Sequence, residues 1–475
     1  MKNNLFLLLG AIVALLGGCS LAPEYRRPEA PVPAEWPTGS AYPETKPPDA
    51  SPAAADLPWR EFIADERLQQ VIETALKNNR DMRLAALNVE RARSLYRVQR
   101  NELLPSVEAI GSGIKERTPA DISSSGSATT REQYRVDFGI SSWEIDFFGR
   151  IRSLGERALE EYMATDQARR STQILLISEA ARAWFILAAD SENLKLSRST
   201  LEAQQASYDL IQKRYEVGIS SELDLRQVQT QVETARRNVA VYTQLTAQDQ
   251  NALNLVAGTP LPPELLPADL TGIRPPREIS PGLSSDALLV RPDVLAAEHR
   301  LKAAHANIGA ARAALFPRIA LTTAIGTASA DLSGLFNSGQ DTWSFAPRIA
   351  VPIFDARTWA AYDVTKVERE ISVAQYEKAI QTAFREVADA LAQRGAVGDQ
   401  LAAQESLVEA TAATYRLSDA RYNGGIDSYL NVLDAQRSLF RAQQALTDLR
   451  MIRLANRVTL YKVLGGGAPA DSSEE

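Results

Sequence analysis

Arg214-Tyr215-Glu216-Val217-Gly218-Ile219-Ser220-Ser221 and Arg421-Tyr422-Asn423-Gly424-Gly425-Ile426-Asp427-Ser428 are one motif written twice. Position 421 answers position 214 and Gly465 answers Gly258, both at an offset of 207 residues. Between those limits each copy continues as a long Ala/Gln/Leu-rich run. A period of that length denotes two copies of a whole structural unit, not a solenoid of short repeats. The 475-residue chain has room for both.

Proline marks where long helices can run, because an interior proline removes a hydrogen bond and clashes with the preceding turn. None occurs between Pro119 and Pro260 or between Pro352 and Pro469. Asp146 to Tyr215 is nearly unbroken helix-former, about 105 Å of helix at 1.5 Å per residue. Asp355 to Tyr422 mirrors it, with Gly395 and Gly398 expected to interrupt the rod. Return helices are expected over about 224–256 and 431–464. They carry a coiled-coil seam: Val228, Val232, Ala235, Val239 and Tyr242 step by 4, 3, 4, 3, as do Ala435, Leu439, Ala442, Leu446 and Leu449. Apolar residues every 3.5 positions face a partner helix, in a coiled coil or in a bundle core.

Four segments alternate with period two instead: 106–117, 133–146, 318–329 and 342–354. Tyr134, Val136, Phe138 and Ile140 form one apolar set; Ile319, Leu321, Thr323 and Ile325 form another; Trp343, Phe345, Pro347, Ile349 and Val351 form a third. The alternate positions, such as Asp137, Gly139, Ser141, Ala320 and Ser344, are small or polar. Ser/Gly-rich stretches at 123–127 and 333–339 join them pairwise, so each repeat carries one β-hairpin. A half-buried soluble sheet alternates in this way, and so does a transmembrane β-barrel.

The N-terminus favours the barrel. Lys2, the apolar run Leu5–Leu16 and Leu16-Gly17-Gly18-Cys19 resemble a signal segment ending in a lipobox, with Cys19 as the lipidated residue. Cys19 is the chain's one cysteine, so no intramolecular disulfide can form. Ser20 after it implies outer-membrane sorting. Trp143, Trp343 and Phe345 near strand ends fit an aromatic girdle. No run outside the signal segment reaches the ~18 apolar residues of a spanning helix. Four strands do not close a barrel, and an open edge cannot sit in hydrocarbon. Two, three or four chains would supply roughly 8, 12 or 16 strands.

Other function classes find little footing. A net charge of −7 offers no basic footprint for nucleic acid. His299 and His305 are six residues apart, about 240° round a helix, and cannot share a metal as an i, i+4 pair does. No phosphate loop or catalytic carboxylate pair stands out, and no cofactor is implied. A periplasmic coiled-coil spacer without a pore is the alternative of a different class; the hairpin alternation argues against it.

Arg291-Pro292-Asp293, Ala297-Glu298, Ile308 through Pro317, Trp143 through Arg150, Leu433 through Leu439 and Gly465-Gly466-Gly467 resemble the TolC-like outer-membrane efflux protein family. The likeness covers essentially the whole mature chain and is nearest to the OprM-type lipoprotein branch. It implies a mixed, mainly α fold: a homotrimer with a 12-stranded β-barrel, four strands per chain, continuous with a long periplasmic α-helical barrel. It implies a non-enzymatic, passive exit duct served by a periplasmic adaptor and an inner-membrane pump of the resistance-nodulation-division type. It places the adaptor-contacting tips at Gly218 and Gly425, and the periplasmic gate at Asp224, Tyr422, Leu430, Asp434 and Arg437. Three copies of Asp434 in a ring would repel unless paired or partly protonated. Asp427 stands where the TolC pattern has arginine and Asn431 where it has aspartate, so the full TolC lock is not available.

On this reading the chain divides into a lipoprotein signal segment 1–18, a Pro-rich lipidated segment 19–58, a first repeat 59–260 and a connector 261–290. A second repeat 291–467 and a disordered tail 468–475 follow. The repeats hold hairpins at 106–146 and 318–354 and tips at 215–221 and 422–428.

Overall fold

The structure is a computed structural model and describes residues 21–42, 54, 57–280 and 284–466. Cys19, the signal segment 1–18, the tail 468–475 and Gly467 lie outside the described residues. The first repeat comprises α1 (Trp59–Phe62), α2 (Glu66–Asn78), α3 (Arg80–Asn101), β1 (Val107–Thr118), β2 (Thr129–Ile145), α4 (Arg150–Glu216) and α5 (Glu222–Ala257). The second comprises α6 (Pro292–Ala313), β3 (Arg318–Ser329), β4 (Asp341–Ala350), α7 (Ala356–Asn423) and α8 (Tyr429–Val463).

Gly395 and Gly398 do not interrupt the second rod: α7 is continuous over 68 residues. Each glycine costs a helix only about 1 kcal/mol relative to alanine, a penalty that flanking helix-formers and packing outweigh. The expectation that no run outside the signal segment approaches a spanning helix in apolar character also needs amending. An 18-residue window in α4 has a mean hydropathy of 1.3, and 61% of it is buried inside the protein. It is the core of a helical unit, holding the fully buried Trp184 and Phe185.

The chain forms two compact units. The first is built from Val89–Thr165 and Ala297–Tyr376 with N-terminal residues up to Glu29. Its centre is one antiparallel sheet in the order β1-β2-β3-β4. The register places Phe138 opposite Ile325 and Ile325 opposite Trp343, then Ile140 opposite Thr323 and Thr323 opposite Phe345. Thus the apolar sets share one face across strands. Between Ile140 and Trp143 the register shifts by one residue, and Ser142 takes φ 54°. A one-residue bulge flips side-chain parity. Trp143 and Ile145, at odd positions, thereby join the face that the even-numbered Tyr134 to Ile140 began, opposite Leu321 and Ile319. Phe138, Ile325, Trp343, Phe345 and Ile349 on that face are all more than half exposed. Among the described residues β1 and β4 each pair on one side only, leaving two open edges.

In the same unit, Glu298 of α6 is nearly fully buried and is held by the N-terminal segment. Arg27 donates two hydrogen bonds to it (3.1 and 2.8 Å) and Tyr25 a third (3.1 Å). A buried carboxylate is tolerated because it is paired and hydrogen-bonded.

The second unit is helical and contains Asp166–Ala296 and Glu377 to the C-terminus, with Ala30–Asn88. Trp184 donates its indole N–H to the Leu265 carbonyl (2.9 Å). Phe62 stacks on Tyr461 with centroids 4.0 Å apart, and the Tyr461 hydroxyl donates to the Leu57 carbonyl (2.6 Å). Arg291, 6% exposed, binds Asp293 through two nitrogens (3.0 and 2.7 Å), Glu386 (2.8 Å) and the Val463 carbonyl (2.6 Å). One guanidinium thereby ties the start of α6, the middle of α7 and the end of α8. Gly258 ends α5 at φ 74°, and a Cβ there would lie 2.5 Å from the Asn78 carbonyl oxygen.

Candidate functional site

The repeated motif forms the two turns α4–α5 and α7–α8, and their backbones share the same pair of closing bonds. In the first, Ile219 N–H donates to the Arg214 carbonyl (2.8 Å) and Gly218 N–H to Tyr215 (2.9 Å). In the second, Ile426 N–H donates to Arg421 (2.9 Å) and Gly425 N–H to Tyr422 (2.9 Å). Each is a Schellman ending, which needs a left-handed residue after the helix. Gly218 (φ 77°) and Gly425 (φ 73°) supply it.

The side chains that fasten the two turns differ. Ser221 and Asp224 form a reciprocal capping box: Asp224 N–H donates to the Ser221 hydroxyl oxygen (3.1 Å), and Ser221 N–H to the Asp224 carboxylate (3.2 Å). Such a cap is worth about 1 kcal/mol. Asn431 occupies the equivalent place in the second turn, and Ser428 makes no side-chain cap. There Arg421 grips Asp427 with two bonds (2.6 and 3.1 Å), and the guanidinium holds that carboxyl below its ordinary range. Two sequence changes between the repeats, Ser220 to Asp427 and Asp224 to Asn431, thus go with a different lock.

Behind the turns lies an apolar cluster of Ile211, Leu225, Val228, Tyr429, Val432 and Leu433, with Tyr208, Tyr415 and Tyr422 packed on it. Tyr422 meets Tyr429 edge-on at 4.9 Å, and the Arg214 guanidinium lies 5.8 Å from the Tyr422 ring centre. Burial pushes the Tyr429 hydroxyl up to about 12. The cluster joins α4 and α5 to α8, so movement of the second hairpin must reopen it.

The predicted gate residues are therefore placed as follows. Tyr422 lies at the cluster's edge, Asp224 in the capping box, and among the described residues no hydrogen bond joins the two within one chain. Leu430 is 46% exposed at the start of α8. Asp434 is ion-paired with Arg437 one turn on, and both are largely exposed. Sequence reasoning missed the Arg421–Asp427 pair and the tyrosine cluster. A partial signal existed: Tyr415 and Tyr422 are seven residues apart, a spacing that keeps them on one face of α7, whereas Tyr429 joins them from α8 only after the turn. The turns also expose the apolar side chains of Val217, Ile219, Leu223 and Ile426, which the described residues leave largely uncovered.

A sequence profile of the outer membrane efflux proteins matches residues 71–259 and 283–466. The chain belongs to the outer membrane efflux protein family. Among the relatives of this efflux protein, the toluene efflux pump outer membrane protein TtgC of Pseudomonas putida is 50% identical over 461 residues, covering 97% of this chain and 95% of the relative. The antibiotic efflux pump outer membrane protein ArpC of Pseudomonas putida is also 50% identical over 461 residues, with the same coverage. Among solved structures, the open state of the MtrE outer membrane channel of Neisseria gonorrhoeae is similar with a TM-score of 0.85. It is 35% identical and the match covers 96% of this chain and all of the other. The efflux protein is accordingly an outer-membrane channel component with a mainly α fold, and not an enzyme.

Proposed function

We propose that this efflux protein is the passive exit duct of a tripartite system, closed from three identical chains. The observation that carries the reading is the sheet with one shared apolar face and two unpaired edges. In hydrocarbon every backbone group must be satisfied, so the edges have to meet those of other copies. Three copies give about 12 strands, an even number within the range of bacterial barrels. Residues 59–260 and 291–467 are the two repeats of this design, and Cys19 anchors it by lipid to the outer membrane.

The glycine turns at Gly218 and Gly425 are the periplasmic tips that meet an adaptor, supported by the exposed Val217, Ile219 and Ile426 beside them. Asp224, Tyr422, Leu430, Asp434 and Arg437 form the gate; their support is their position at the start of α5, within the first three turns of α8 and at the end of α7. Energy comes from a resistance-nodulation-division pump in the inner membrane. The cargo is small organic molecules, solvents and antibiotics, as the names of the TtgC and ArpC relatives indicate.

Purified protein should run as a heat-modifiable, SDS-resistant trimer, pass ions across planar bilayers and carry acyl chains on the peptide beginning at Cys19. A sample that stays single-chain in mild detergent and never conducts would sink the duct.

A further inference from the structure

A recess of about 370 Å³ lies between α4, α5 and α8. That volume suits a small organic ligand. The residues that line it are mostly of polar type, and none is acidic. Arg237 of α5 and Arg437 and Arg441 of α8 all contribute to it. Arg437 is neutralised by Asp434, but among the described residues Arg237 and Arg441 have no carboxylate partner. Arg237 is bound only by its neighbour Asn238 (3.2 Å). Two uncompensated guanidinium groups on facing helices are unusual in a chain with a net charge of −7.

A second observation is independent of charge. Gln204 of α4 lines the recess and is 3% exposed, yet among the described residues its buried side-chain oxygen has no hydrogen-bond partner. Buried polar atoms are almost always satisfied, so an unmet acceptor on a side chain that lines the recess points to a donor that comes from outside the chain. Phe440 adds one aromatic surface, and Tyr242 is fixed by accepting from Gln444 (2.7 Å).

We propose that this recess is a binding site for a small organic carboxylate that carries a separate hydrogen-bond donor. The carboxylate pairs with Arg237 and Arg441, whose planar forks suit it. Its donor reaches the Gln204 oxygen, and its ring or chain lies along Phe440. The site needs only the folded helical unit, whether or not the protein conducts.

The test uses the full-length protein in detergent, with 4-hydroxybenzoate as probe and isothermal titration calorimetry as readout. Saturable binding at one site per chain is expected, with neutral 4-hydroxybenzamide failing to saturate. Arg237→Gln combined with Arg441→Gln should raise Kd at least tenfold. Arg236→Gln, on the same helix but paired with Glu233 outside the recess, should leave Kd unchanged. Gln204→Leu should weaken 4-hydroxybenzoate more than benzoate, which lacks the hydroxyl. Absent saturation, equal binding by the double variant, or equal loss in Arg236→Gln overturns the proposal. Conductance is measured separately, so failure of this site and failure of the duct are distinct results.

Discussion

Replacing Arg291 by methionine tests how the helical unit is tied together. The side chain of Arg291 is 7% exposed, while Asp293 and Glu386 are 42% and 34% exposed. Removing one partner of a fully buried pair costs about 3–5 kcal/mol. Here both carboxylates can rehydrate, so their share is discounted. The Val463 carbonyl, which loses the 2.6 Å bond, has no such relief. An orphaned buried acceptor costs about 1–3 kcal/mol. The sum is about 3 kcal/mol, or roughly a hundredfold in a local opening equilibrium. Backbone hydrogen exchange reads this directly. The amides to follow are Leu464, Gly465 and Gly466, which donate to Leu460, Lys462 and Tyr461. Their protection should fall by about two orders of magnitude in Arg291→Met. It should fall less in Arg291→Lys, which keeps the charge without the fork. Unchanged protection in Arg291→Met would refute the view that this guanidinium holds the end of α8.

Three further outcomes are expected. Gly258→Ala and Gly218→Ala both place a Cβ at a left-handed position, which costs about 1–2 kcal/mol. Only at Gly258 would it also strike backbone, at 2.5 Å from the Asn78 oxygen, so Gly258→Ala should have the lower midpoint in thermal denaturation; equal midpoints would contradict the packing. Burial, a hydrogen bond that the protonated carboxyl donates to Asp249, and the nearby Asp249 charge push the Asp190 carboxyl up to about 7. The folded state then holds this proton longer than the unfolded chain, so stability falls as pH rises from about 4 to about 7. Asp190→Asn should therefore raise the melting midpoint at about pH 8 and leave it unchanged at about pH 4; a gain of the same size at both would count against the shared proton. Finally, Tyr422→Phe with Asp224→Ala should raise single-channel conductance in planar bilayers, and unchanged conductance would remove that pair from the gate.

Much of the fold was legible because its signals are local. The repeated turns required glycine at Gly218 and Gly425, and the proline-free spans allowed the two rods. The β-hairpins announced themselves by alternation. The errors came where a local rule was outweighed. Gly395 and Gly398 look like breaks, yet α7 runs through them. The apolar window of α4 resembles a membrane span by composition, and its burial makes it core. At the candidate site the turn glycines and the positions of Asp224 and Tyr422 were readable. The different fastenings of the two turns were not, because Arg421 and Asp427 meet only after the chain has reversed.

The sequence by itself determined the repeated turn motif, the element types and the family, since these depend on periodicity and on residues close in the chain. Only the tertiary structure decided which strands are neighbours and that a bulge at Ser142 returns Trp143 to the apolar face. It alone also set Arg291 against Val463 and left Gln204 without a donor. Those facts depend on side chains brought together from distant positions, where distance and burial, and not spacing along the chain, set the energy.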